Sequence, residues 1–200
     1  IVKQNRYNPT IKFLKNAIVN GRFGKIYMVN INVFWSRPQT YYDQASWRGT
    51  WKYDGGAFLN QASHYMDLAI WLFGKVKKLH SFTGTLARNI EAEDTGVVNV
   101  LWENGIIGSI NTTMLTYPKN LEGSITVLGE KGTAKIGGIA LNKILKWEFE
   151  KSVDYDTNIK DNNYEINTVY GSGHSVFYKE VIKALRNEEF EVPTGEEGIK

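Results

Sequence analysis

Thr95-Gly96-Val97-Val98-Asn99-Val100-Leu101-Trp102-Glu103-Asn104-Gly105-Ile106-Ile107-Gly108-Ser109-Ile110-Asn111-Thr112-Thr113-Met114 decides the fold of this 200-residue chain. Two β-rich runs, residues 95–102 and 106–114, are joined across Glu103-Asn104-Gly105, and Asn-Gly between such runs is the strongest short-range hairpin signal. A second hairpin is expected from residues 123–128 and 133–136 around Glu130-Lys131-Gly132, with further strands at 76–86 and 144–149. Upstream, Tyr27, Val29, Ile31 and Val33 alternate with Met28, Asn30 and Asn32, the period of a strand with one packed face. Strands linked by tight turns rather than crossover helices build a largely antiparallel sheet.

Helices are fewer. Asn8-Pro9 reads as an N-cap with proline in the first turn, Ile11, Leu14 and Ile18 mark one face, and Gly21 ends the helix. A last helix spans 172–186, with Val176, Glu180 and Ala184 on one side and Phe177, Val181 and Leu185 on another. Between them Gly55-Gly56 leads into a helix that closes at Gly74. Asn60, His64, Asp67 and Trp71, at offsets of 4, 3 and 4, share one side of it. Leu59, Met66, Ile70 and Phe73 make the opposite, apolar stripe. Residues 34–54 have no period, which in a compact domain points to a site, and 151–164 read as a polar surface loop. The expected class is α+β: a two-layer domain over residues 1–200 with a large, mostly antiparallel open sheet and helices on one face. The open face needs a cover, and a homo-oligomer packed sheet against sheet is expected.

Apolar residues at 42% and aromatics at 13% are enough for a core, so the chain folds. A net charge of +3 with scattered Lys and Arg lacks the basic stripe of a nucleic-acid binder. The absence of cysteine excludes disulfides, thiol catalysis and Cys-ligated metal. No run of 18 apolar residues spans a membrane, and the first residues are not a secretory signal. A soluble cytoplasmic protein is therefore expected. The first residue is not Met, and neither end reads as a natural terminus, so a piece of a longer protein is expected.

His64 is the leading candidate for chemistry, because its ordinary pKa lets it take and return a proton near neutrality. A lone histidine on a helix is equally compatible with a packed, hydrogen-bonded core residue. Asn60, one turn earlier, can orient a substrate hydroxyl but cannot be a base. Asp67 either holds the imidazole tautomer or faces solvent. Arg37 can fork onto a carboxylate or phosphate, or it is an ordinary surface arginine. Trp47, Trp51 and Trp71 read as core, and Glu91-Ala92-Glu93-Asp94 as a solvated turn. His64, His80 and His174 are not at ligand spacing, so no metal site is expected. No Gly-x-Gly-x-x-Gly opens a strand-turn-helix unit here, so nothing in the chain cradles a dinucleotide by itself.

Several stretches, in order, resemble the second domain of the glucose-fructose oxidoreductase/inositol dehydrogenase/MocA family. They are Gln4-Asn5-Arg6-Tyr7-Asn8-Pro9, Gly21-Arg22-Phe23-Gly24-Lys25-Ile26 and the helix from Gly55 to Gly74. Gly173-His174, Ala184-Leu185-Arg186 and Pro193-Thr194-Gly195-Glu196-Glu197-Gly198 complete the series. Within the family, Trp35-Ser36-Arg37-Pro38, Tyr41-Tyr42 and Trp47-Arg48-Gly49-Thr50-Trp51 look like the UDP-N-acetylglucosamine 3-dehydrogenase branch. The resemblance implies an NAD-dependent oxidoreductase acting on the 3-hydroxyl of a UDP-N-acetyl-glucosaminuronic acid, for surface polysaccharide synthesis. It implies His64 and Asn60 as catalytic, Arg37, Tyr41, Tyr42 and His174 as substrate-binding, and NAD held mainly by an N-terminal Rossmann domain outside these residues. A short C-terminal segment is also expected beyond them. Two departures matter. Asn60 stands where many members carry aspartate, and the family's Glu-Lys-Pro lysine has no counterpart in the chain. On this reading the 200 residues alone are inactive. Another sugar or inositol as substrate, or a non-catalytic dimerisation domain of the same fold, are the alternatives.

Overall fold

A computed structural model describes residues 1–159, 161–166 and 168–198. The elements run α1 (Pro9–Val19), β1 (Ile26–Phe34), α2 (Gln39–Asp43), α3 (Ser63–Phe73), β2 (Val76–Gly84), β3 (Thr95–Trp102), β4 (Ile107–Thr113), β5 (Glu122–Gly129), β6 (Gly132–Gly137), β7 (Lys143–Phe149) and α4 (His174–Leu185). Seven strands form one sheet in the order β2-β3-β4-β1-β5-β6-β7. Every neighbouring pair is antiparallel except β1 and β4. The α+β class read from the turns is the observed one, and the Asn104-Gly105 hairpin joins β3 to β4 as expected, with Leu101 opposite Ile107.

One face of the sheet carries the core. Val29, Ile31 and Val33 of β1, Trp102 of β3, Ile125 and Val127 of β5 and Ile136 of β6 are buried in one cluster with Ile11 and Leu14 of α1 and Tyr65, Leu68 and Leu72 of α3. The other face is open. There Met28 and Ile107, opposite each other in β1 and β4, are about half exposed. Next to them Asn30 donates to Ser109 Oγ at 2.7 Å and Asn111 to Asn32 Oδ1 at 2.9 Å, a polar ladder across the centre of that face. Tyr27 does not share the packed face expected for it; it is exposed, because the β1–β5 register shifts between Ile26 and Met28.

The segment from Gly55 to Gly74 is two pieces rather than one helix. Ala57–Gln61 is a π-helical turn, closed by Ala62 N–H donating to Ala57 O at 2.8 Å, and α3 begins at Ser63. The wider turn takes in an extra residue, so the apolar stripe is shifted. Tyr65, Leu68, Ala69, Leu72 and Phe73 are buried, whereas Leu59 is exposed. Asp67 neither faces solvent nor holds the imidazole. It accepts from Arg6 Nε at 2.8 Å and Nη2 at 2.7 Å in a largely buried pair.

Other local readings are corrected by tertiary demand. Asn8 stands at the N-cap position of α1 but makes no capping bond; its fully buried amide donates to Ala140 O instead. Glu91-Ala92-Glu93-Asp94 is no solvated turn. Ala92, Glu93 and Asp94 are buried, Glu93 accepts from Phe58 N–H, and Asp94 from the backbone of Leu86, Ala87 and Arg88. Burial opposes the Asp94 charge, but those three backbone donors outweigh it and hold its pKa below the usual carboxylate value. Trp47 and Trp51 are exposed rather than core. In α4 Phe177 packs edge-on against Tyr7, while Leu185 stands in solvent. The expected loop after β7 contains a short turn, Asp154–Asn158, pinned by Asp156 to Arg22 at 2.6 Å; Lys160 within it lies outside the described residues, as do Ile199 and Lys200 at the end.

Candidate active site

The aperiodic stretch after β1 folds over the π-helical turn and encloses a pocket of about 130 Å³ lined by Trp35, Arg37, Tyr41, Asn60, Gln61, His64, Val169 and Tyr170. Four predicted site residues, Arg37, Tyr41, Asn60 and His64, thus line one pocket. His64 is in the first turn of α3. Its Nδ1 is sealed from solvent without a partner. Burial, then the positive charge of Lys3, push its pKa down to about 4, against a weaker opposing pull from Asp67. The imidazole is therefore neutral at pH 7, the form that accepts a proton.

Asn60 donates its amide N–H to Asp54 Oδ1, and the other Asp54 oxygen accepts from Gly49 N–H at 2.6 Å. A carboxylate only accepts, so this contact fixes the amide nitrogen and leaves the Asn60 oxygen as the group it offers to the pocket. Arg37 donates to Ser36 O at 2.8 Å and Asn120 Oδ1 at 3.3 Å, and its guanidinium lies 5.2 Å from the Trp35 ring and 5.5 Å from that of Tyr41. Among the described residues no carboxylate forms an ion pair with it. Its charge is free for an anionic ligand.

Two predicted residues stand back from the pocket. Tyr42 is buried, packed edge-on against Tyr41 at 5.1 Å. Burial, with the neighbouring Tyr41, pushes its hydroxyl up to about 12, so it supports the wall rather than lining it. His174, the first residue of α4, lies 6.3 Å from the Tyr170 ring and close enough for its charge to depress His64. His80 is remote, on β2 beside Phe82.

Gln61, Val169 and Tyr170 escaped the sequence reading as site residues, and Trp35 entered it only as part of a resemblance. Val169 and Tyr170 arrive from far along the chain with no motif. Gln61 is 6% exposed with both amide atoms unpartnered, and the Trp35 indole N–H is buried without an acceptor. Each such group costs about 1–3 kcal/mol when left unpaired. A larger pocket of about 330 Å³, lined by Arg6, Lys12, Trp71 and Glu191 among others, holds no histidine. There Arg6 is already paired with Asp67 and Glu197, so the smaller pocket is the better candidate for chemistry.

Residues 15–200 match the family model described as "Oxidoreductase family, C-terminal alpha/beta domain" of the Gfo/Idh/MocA group. The chain belongs to this family. Two solved Gfo/Idh/MocA-type structures are similar throughout. The WlbA dehydrogenase of Bordetella pertussis, solved with NADH and UDP-GlcNAcA, is 57% identical, with a TM-score of 0.95 over 99% of this chain and 57% of that one. The WlbA dehydrogenase of Chromobacterium violaceum, solved with the same two ligands, is 57% identical, with a TM-score of 0.93 over 100% of this chain and 56% of that one. A levoglucosan dehydrogenase at 17% identity, covered over 98% of this chain and 59% of that one with a TM-score of 0.76, shares the fold. The chain thus spans little more than half the length of these relatives. No curated protein matches it. Among the described residues no helix is long and apolar enough to cross a membrane.

Proposed function

We propose that this chain is the substrate-binding and oligomerisation domain of a cytoplasmic, NAD-dependent dehydrogenase that oxidises the 3-hydroxyl of a UDP-N-acetyl-glucosaminuronic acid. The observation that carries the reading is the one pocket that a neutral His64, an oriented Asn60 and an unpaired Arg37 line. The 57% identity to dehydrogenases solved with NADH and UDP-GlcNAcA supports it. NAD, when bound, supplies the hydride acceptor for the sugar's C3. Pockets for drug-sized ligands run to about 300–1,000 Å³. One of about 130 Å³ suits part of a sugar, so most contacts to the cofactor belong outside these residues.

The chain's own part is orientation and proton transfer. The Asn60 amide oxygen accepts a hydrogen bond from the 3-hydroxyl and fixes its direction, since small misplacements cost rate. The hydroxyl proton passes to Nε2 of His64. A pKa near 4 makes His64 a weak base in the empty pocket; the uronate carboxylate, drawn in by Arg37, raises it. Tyr41 walls the sugar, and His174 stands behind the pocket residue Tyr170. The exposed apolar residues of the open sheet face, Met28, Ile107 and Phe82 among them, support a sheet-to-sheet homo-oligomer.

The test uses the chain joined to its cofactor-binding domain. UDP-N-acetyl-glucosaminuronic acid is expected to form NADH, and the uncharged parent sugar to do so far less well. Arg37→Met should raise KM for the acid at least tenfold and leave the uncharged sugar's KM much as it was. Turnover of an inositol with none of either nucleotide sugar would overturn the assignment. The 200 residues alone are expected to form no NADH.

A further inference from the structure

Two residues that line the pocket carry buried polar groups with no hydrogen-bond partner: the amide oxygen and amide nitrogen of Gln61 and the indole N–H of Trp35. Both side chains are more than nine-tenths buried, at 6% and 5% exposure. Gln61 closes the π-helical turn directly after Asn60 and three residues before His64. Whatever it binds therefore sits beside the hydroxyl that Asn60 and His64 address. Resting on the nucleotide-sugar reading above, we propose that Gln61 and Trp35 together read the acetamido group at C2 of the sugar, the substituent adjacent to the oxidised carbon.

The chemistry of the three groups fits that ligand. A trans secondary amide presents one acceptor and one donor on opposite edges, so it needs a donor on one side and an acceptor on the other. Trp35 offers only a donor, suited to the acetamido carbonyl. The Gln61 oxygen takes the acetamido N–H, and the Gln61 nitrogen is left for a neighbouring hydroxyl oxygen. Val169 and the Trp35 ring give the acetyl methyl an apolar wall. A hydroxyl in place of the acetamido group is too short to reach both edges. It leaves buried polar groups dehydrated and unpaired, the situation in which a hydrogen-bonding site discriminates most strongly.

The experiment compares UDP-N-acetyl-glucosaminuronic acid with UDP-glucuronic acid, which carries a hydroxyl at C2, on the full-length protein with NAD. The wild type is expected to favour the acetamido sugar by about 10² or more in kcat/KM. Gln61→Met should cut that ratio at least tenfold, and Trp35→Phe should lower it as well. Because the Gln61 amide has no partner to lose, Gln61→Met should keep or raise Tm. A ratio unchanged in both folded variants overturns the proposal while leaving the dehydrogenase reading intact. Failure of Gln61→Met to fold also overturns it, since the amide would then serve the fold. A wild type inactive on both sugars removes the parent reading and this one with it.

Discussion

His64 writes its burial into the pH dependence of stability. Its folded pKa of about 4 lies below the ordinary value of 6.5, so the unfolded chain binds a proton that the fold refuses. The stability it contributes is full above pH 6.5 and is lost as pH falls from there through 4, to the extent of about 3 kcal/mol. His64→Gln should flatten the Tm profile over that window, and in the full-length enzyme it should lower kcat by about 10²–10⁴. Asp54 acts one step removed, through the Asn60 amide it holds. Asp54→Ala should lower kcat about tenfold with little change in KM, and Asp54→Asn, which keeps an acceptor, should restore most of it. A KM rise with kcat intact would argue that Asp54 shapes binding instead. The reach of sequence is visible at these same residues. His64 and Asn60 were legible because helical spacing put them on one side. Gln61 was not, since its significance lies in bonds it fails to make, and Asp67 was misread because Arg6, its partner, is 61 positions away.

At the scale of elements, the π-helical turn is the device that sets the site, and Gly56 is what admits it. Gly56 lies at φ +78°, ψ −165°, a region closed to other residues, and a Cβ there would come 2.3 Å from Glu93 Oε2. Gly56→Ala should therefore destabilise by about 2–3 kcal/mol, seen as a lower urea midpoint at unchanged slope. An unchanged midpoint would mean that the turn relaxes freely. Sequence showed the glycine pair but not the turn it opens. The 3.6-residue period carried through Ala57–Gln61 predicts a straight helix with Leu59 inside, and only the extra residue puts Leu59 in solvent. The β3–β4 hairpin was legible to within one residue at each strand end because its information is local.

For the whole molecule, the open sheet face carries exposed apolar side chains, Met28, Ile107 and Phe82 among them. If copies meet there, Ile107→Glu places a charge between Met28 and Leu101, its cross-strand partners, and should turn the oligomer into a monomer in sedimentation while leaving the monomer's circular dichroism intact. A variant that stays oligomeric would place the contact elsewhere.

The parallel pairing of β1 with β4 also sets an order of assembly. Asn30 and Ser109 are hydrogen-bonded across 79 positions of chain, so that seam closes only after a long loop has been gathered. The hairpins β3–β4 and β5–β6 need no such wait. Refolding rates should then respond to changes at Asn104-Gly105, whereas trimming Ile31 to Val should chiefly hasten unfolding: the middle of the sheet is its latecomer.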